Sequence, residues 1–205
     1  MGSISQLVIF IDPTRCLACK ACEVACATEH SITKSTLTAH LETPKPSARI
    51  RVVPVDTIFS IPMRCQHCTE APCEIVCPTK AIYRSPEGFV LLNAVKCIGC
   101  GMCSLACPFG HPKIDVAVGK AVKCDFCVDR VRKGLMPACV EACPTGALRY
   151  GYLEDFLREL SASKAKELVS GKATPGKVYV RVVTEETTPS KLIELRQMYS
   201  SVSWG

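Results

Sequence analysis

The chain has 205 residues, 48% of them apolar but only 6% aromatic, with a formal charge of +6. That length allows one or two compact units, and no apolar run approaches the ~18 residues of a spanning helix. A positive balance raises nucleic acid or an anionic membrane as partners, but no stripe of interleaved basic and aromatic side chains supports nucleic acid.

From the N-terminus, the apolar run 7–11 ends at Asp12-Pro13 and reads as a strand leading into Cys16, Cys19, Cys22 and Cys26, with a short helix over 22–30. Segment 34–63 carries Pro44, Pro46, Pro54 and Pro62; within it, 49–55 and 57–61 have strand composition and read as a hairpin covering the cysteine loops, or alternatively as a partner surface. Cys65, Cys68, Cys73 and Cys77 come next, then a hairpin through Ile82, the turn Pro86-Glu87-Gly88 and residues 89–92 into Cys97, Cys100, Cys103 and Cys107. The fourth group is Cys124, Cys127, Cys139 and Cys143. Beyond Gly151, the spacing of Leu153, Phe156, Leu157 and Leu160 predicts a helix that continues to Leu168 and stops at Gly171. Alternation of Val178, Val180 and Val182 predicts a strand, and Leu192, Leu195 and Tyr199 a last helix over 191–199. The fold class is α+β.

All sixteen cysteines fall into these four groups of four, and the third reads C-x2-C-x2-C-x3-C-P, the bacterial run for [4Fe-4S] clusters. Three closely spaced thiolates let one tight loop meet three irons of a cube, while the fourth sits on the next helical turn and points away. In two-cluster ferredoxins it ligates the other cluster, so such motifs work in pairs. Four [4Fe-4S] clusters are therefore expected. A disulfide framework belongs to small secreted chains. The start shows no charged-then-apolar signal segment, and neighbours within C-x2-C are too close to pair. Structural zinc would use knuckles such as Cys65/Cys68 or Cys124/Cys127. It leaves unexplained the third cysteine of the first and third groups and the trailing Pro78, Pro108 and Pro144.

The second and third groups with their hairpin read as one continuous ferredoxin. The fourth group closes with Cys143-Pro144-Thr145-Gly146-Ala147-Leu148, repeating Cys77-Pro78-Thr79-Lys80-Ala81-Ile82. A second ferredoxin, made of the first and fourth groups, is then split by insertion of the other. On this nested reading the ligand sets are Cys16, Cys19, Cys22 with Cys143; Cys26 with Cys124, Cys127, Cys139; Cys77 with Cys97, Cys100, Cys103; and Cys65, Cys68, Cys73 with Cys107. The alternative pairs neighbours in order, first with second and third with fourth.

Four groups in this order, with Cys65-Gln66-His67-Cys68-Thr69-Glu70-Ala71-Pro72-Cys73 in the second, resemble the four-cluster iron–sulfur subunits of the dimethyl sulfoxide reductase type over residues 7–152. Similar subunits serve formate dehydrogenases, formate hydrogenlyase, polysulfide and nitrate reductases, and carbon monoxide dehydrogenase systems. The resemblance implies the nested pairing and two dicluster ferredoxin units, a split one over 1–63 and 108–152 and an inserted one over 64–107, followed by an extension over 153–205. It also implies an electron wire with no catalytic residue of its own. Its partners would be a catalytic subunit (a molybdenum or tungsten pterin enzyme, a nickel carbon monoxide dehydrogenase or a hydrogenase) and an electron acceptor or donor. A diffusing polyferredoxin and a zinc-stabilised scaffold are the alternatives.

An oxidised cluster with four thiolates carries about −2, so four add about −8 and largely offset the basic residues. Arg15, Lys20, Arg64, Lys96, Lys123 and Arg130 lie beside the cysteines and read as a solvated face tempering that charge. His67, inside the second loop, is expected to hydrogen-bond rather than ligate, and His30, His40 and His111 receive no role. No nucleotide, pterin or flavin motif appears. With a reducing interior keeping the thiols available, the reading is cytoplasmic.

Overall fold

A computed structural model describes residues 6–56 and 59–169. The strand over 178–182 and the helix over 191–199 expected from the sequence lie outside the described residues. The first compact unit runs to Phe156 and the second begins at Leu157. No helix among the described residues is long and apolar enough to cross a membrane.

The secondary structure is a set of antiparallel strand pairs and short helices. Strand β1 (Leu7–Ile11) leads to helix α1 (Ala21–Glu29), then β2 (Ile50–Pro54) and β3 (Ser60–Arg64). Helix α2 (Pro72–Ile75), strands β4 (Ile82–Arg84) and β5 (Val90–Leu92) and helix α3 (Met102–Ala106) follow. The chain continues through β6 (Lys113–Asp115), β7 (Lys120–Val122), α4 (Val128–Arg132), α5 (Ala138–Glu141), β8 (Leu148–Tyr152) and α6 (Leu153–Val169). The pairs are β1–β8, β2–β3, β4–β5 and β6–β7.

Two of these pairs repeat one design. In β4–β5, Ile82 lies opposite Leu92, and the Asn93 N–H donates to Ala81 O at 2.8 Å. In β1–β8, Leu148 lies opposite Ile11, and the Asp12 N–H donates to Ala147 O at 2.8 Å. Asn93 Oδ1 accepts from the Val95 N–H at 2.9 Å, as Asp12 Oδ1 does from the Thr14 N–H at 3.1 Å. Each is an Asx turn that swings the chain from strand to cysteine loop. The hairpin is continuous in one copy, whereas in the other its two strands come from opposite ends of the unit.

Strand β5 partitions the core by its two-residue period. Val90 packs with Ala71, Ala81, Ile82 and Ala121, while Phe89 and Leu91 face Ile9, Ile50, Phe126, Val140 and Leu148. Side chains alternate across a strand, so one short segment serves two apolar groups. Phe156, in the first turn of α6, stacks on Phe10 at 5.2 Å, and the Arg149 guanidinium lies over both rings.

The 57–61 strand expectation is shifted by the structure: β3 pairs from Ser60 and runs through Arg64, opposite Ile50, to the edge of the Cys65 loop. Residues 113–122, for which no element was expected, form a tight hairpin closed by the Gly119 N–H donating to Asp115 O at 2.7 Å. Gly99 meets that turn. Its φ is +70°, and a Cβ there would fall 2.1 Å from Gly119 O, backbone against backbone. Gly99→Ala should therefore cost about 2–5 kcal/mol. Gly101→Ala, with φ +77° but open space around it, should cost only about 1–2 kcal/mol. Thermal unfolding of the two anaerobic variants checks this ordering, and equal losses would contradict it.

Candidate metal centres

Each cysteine loop turns on a left-handed residue immediately before its second cysteine: Ala18 (φ 55°), His67 (47°), Gly99 (70°) and Phe126 (63°). Such a residue reverses the backbone between two thiols and turns them toward one space. A second left-handed residue, Lys20, Gly101 or Cys127, opens α1, α3 and α4.

The thiols meet in four sets. Cys16, Cys19, Cys22 and Cys143 line one cavity, Cys77, Cys97, Cys100 and Cys103 a second, and Cys65, Cys68, Cys73 and Cys107 a third. Cys26 on α1 and Cys139 on α5 are buried in one apolar group, and Cys124, Cys127 and Cys26 are all near enough to oppose ionisation of Cys139. The structure thus brings cysteines of the first and fourth groups together, and those of the second and third.

The donor chemistry suits iron–sulfur clusters. Cys77 accepts N–H bonds from Ile82, Ala81 and Thr79, and Cys143 from Leu148, Thr145 and Ala147. Against the opposing effect of burial, these bonds and the Thr79 and Thr145 hydroxyls lower both thiol pKa values. The Arg49 N–H reaches Cys26 Sγ and the Ala121 N–H reaches Cys97 Sγ, each at 3.3 Å. Burial does the reverse at Cys22 and Cys73, pushed up to about 11, and at Cys127, pushed up to about 12. Thiols so desolvated ionise when a bound cation supplies the missing charge. Four cysteines line each of these cavities and no carboxylate or histidine does, so the residues fit [4Fe-4S] groups better than mixed-donor ions.

The second and fourth loops touch. His67 packs edge-on against Phe126 at 5.4 Å, Phe126 stacks on Phe89 at 4.2 Å, and the Arg64 guanidinium lies 5.1 Å from the Phe126 centroid. Lys123 Nζ donates to Cys124 O at 2.7 Å and to Val90 O. Arg64 and Lys123 are only 5% and 3% exposed, so the solvated-face reading fails for these two. Arg64 donates to Cys65 O, and both cations are held on backbone carbonyls where the loops meet. Arg130 also has structural work, bonding Glu29, Glu141 and Met136 O and so tying α1, α4 and α5 together.

His67 hydrogen-bonds as expected: Nδ1 accepts the Val90 N–H at 3.1 Å. Burial, reinforced by Lys123 and Arg64, drives its pKa down to about 2, so the ring is neutral with its proton on Nε2. His30, given no role from sequence, sits one turn after Cys26. Burial opposes its charge, yet bonds to the Asp125 carboxylate at 3.2 Å and to the Cys26 thiol at 3.7 Å raise its pKa to about 9; Nδ1 also lies 2.7 Å from Cys26 O. Asp125 also accepts from Arg49 at 2.7 Å and from the Cys127 N–H at 2.9 Å. His30, Asp125 and Cys127 lie within 4.8 Å of one another. This is not an ion site, because two cations already satisfy Asp125 and Cys127 belongs to a sulfur set. A histidine one turn beyond a ligand cysteine was the available sequence signal.

A family profile described as a 4Fe-4S dicluster domain matches residues 55–153. Fold and thiol cavities together define an iron–sulfur protein of ferredoxin type. The thiosulfate reductase electron transfer subunit PhsB of Salmonella typhi is 39% identical over 153 residues, 74% of this chain and 78% of that one. An iron-sulfur protein of Rhodospirillum rubrum is 39% identical over 175 residues, covering 80% and 91%. The B subunit of the anaerobic dimethyl sulfoxide reductase of Escherichia coli (strain K12) is 34% identical over 170 residues, covering 76% and 78%. The protein belongs to this family of iron–sulfur electron-transfer subunits of the molybdoenzyme type.

Proposed function

We propose that the chain holds four [4Fe-4S] clusters in the nested sets and relays electrons between a separate catalytic subunit and an acceptor. Each bound cluster supplies one-electron oxidation and reduction; the chain's own residues hold it, shield it and set its potential. The relatives' names favour a reductase as the catalytic partner, ahead of a formate, aldehyde or carbon monoxide dehydrogenase or a hydrogenase. The nested units 1–63 with 108–152, and 64–107, are supported by the matched hairpins and by the cysteines that share each cavity.

The observation that carries the relay is the exposure of the thiols. Among all sixteen, only Cys19 and Cys100 are exposed, one in each unit and each in a different cavity. The two inner loops, joined through His67 and Phe126, leave no cysteine exposed. A wire needs two accessible ends and an insulated middle. The Cys19 end, flanked by exposed Leu17 and Lys20, faces the catalytic subunit. The Cys100 end, flanked by exposed Ile98, Met102 and Leu105, faces the acceptor.

The isolated chain should be reduced and reoxidised by viologens yet turn over no thiosulfate, sulfoxide, formate, carbon monoxide or hydrogen. Joined to its catalytic subunit, it should carry electrons between that enzyme's substrate and an external acceptor. Substrate turnover by the isolated chain would refute the relay.

A further inference from the structure

A cavity of about 230 Å³ that no thiol lines sits between the β2–β3 hairpin and the loop from Phe109 into β6, sharing Phe109 with the cavity of Cys65, Cys68, Cys73 and Cys107. Arg49, Arg51, His111 and Lys113 line it, with an apolar wall that includes Met63 and Phe109. His111 Nε2 and Arg49 Nε are buried without a hydrogen-bond partner. Buried polar groups are almost always paired, so two around one cavity point to a ligand that completes them.

Charge gives the ligand its sign. Burial lowers the His111 pKa to about 4, and the charged groups that press most on the ring are cations: Lys113, Arg64, Arg51 and Lys123. Among the described residues neither Arg51 nor Lys113 is in an ion pair. Glu23 is the acid acting on Lys113, and its Oε1 is occupied by the Val52 N–H at 2.6 Å. Asp125 is bound to Arg49 through Nη1, leaving the Nε free. Arg64 and Lys123 are held on backbone carbonyls at the cysteine loops, but Arg51 and Lys113 line none of the thiol cavities. The electrostatic excess at this cavity therefore has no partner within its lining.

We propose that this cavity binds a small organic dianion, its carboxylate or phosphate oxygens taken by Arg49, His111, Arg51 and Lys113 and its carbon skeleton lying against Met63 and Phe109. An oxyanion satisfies the free Arg49 donor and the His111 ring nitrogen while balancing the two unpaired cations. The apolar wall distinguishes an organic dianion from a bare inorganic ion.

Calorimetric titration of the anaerobic full chain with succinate and with phenyl phosphate tests it, the two arms distinguishing a carboxylate from a phosphate head. At least one should bind saturably at one site, more tightly than inorganic phosphate. Arg51→Glu and Lys113→Glu should each weaken that binding at least tenfold, and His111→Leu should weaken it with unchanged iron content. Absence of saturable binding by either probe would overturn the proposal, as would affinity unchanged in both charge-reversed variants. If neither probe binds but Lys113→Glu abolishes assembly with the catalytic subunit, the cavity is a docking pocket for a protein acid and the small-ligand proposal is wrong.

Discussion

Replacing Cys143 with serine is expected to damage the cluster held by Cys16, Cys19 and Cys22, far from it in sequence, and to spare the one held by Cys97, Cys100 and Cys103. The physical reason is the strand pair β1–β8, which seats the Cys143 loop beside the first cysteine loop through the Asp12 N–H to Ala147 O bond. Serine keeps the shape but removes a soft thiolate with several N–H partners. Iron should fall by up to about four atoms of about sixteen, or one cluster should convert to a three-iron form. Cys77→Ser is the mirror experiment, because Cys77 lies in the same repeated turn and lines the cavity of Cys97, Cys100 and Cys103. Magnetic resonance spectra of the two variants should lose different signals. The signal lost in Cys143→Ser should match the one lost in Cys19→Ser, which lies in the same cavity; a match with Cys100→Ser instead would point to the sequential pairing.

Replacing Cys73 with serine should block electron delivery while leaving reduction by substrate intact at the catalytic end. Cys73 is buried, lines the cavity of Cys65, Cys68 and Cys107, and lies on the far side of the His67–Phe126 contact from the Cys26 set. Losing an outer-shell partner of a metal site typically costs roughly 10–100-fold; losing a ligand in the middle of a relay should exceed that in acceptor reduction. Stopped-flow spectra of the assembled complex would show the catalytic-side clusters bleaching with substrate and no onward transfer. Unimpaired transfer to the acceptor would refute the proposed direction.

Much of this was legible because cysteine spacing is a strong local signal. The repeat of Cys77-Pro78-Thr79 in Cys143-Pro144-Thr145 foretold two matching turns, and the run 7–11 foretold β1. Other features depended on contacts no local pattern encodes. Lys123 reads as a surface cation until its Nζ is found on Val90 O, 33 residues earlier in the chain. Residues 57–61 are rich in strand formers, yet the ladder register places Arg64 opposite Ile50, and the pairing runs from Ser60 to Arg64. The His30–Asp125–Arg49 cluster joins residues up to 95 positions apart. Residues 113–122 make strands of only three residues each, too short for alternation to stand out.

Iron anomalous scattering from crystals of the anaerobically prepared protein would show whether the sixteen thiols hold four cubanes in nested sets. Four four-iron peaks are expected, with Cys143 bonded to the cluster of Cys16, Cys19 and Cys22 and Cys107 to that of Cys65, Cys68 and Cys73. Zinc in any of the four cysteine sets, or a bond from Cys143 to the cluster of Cys97, Cys100 and Cys103, would rule that arrangement out.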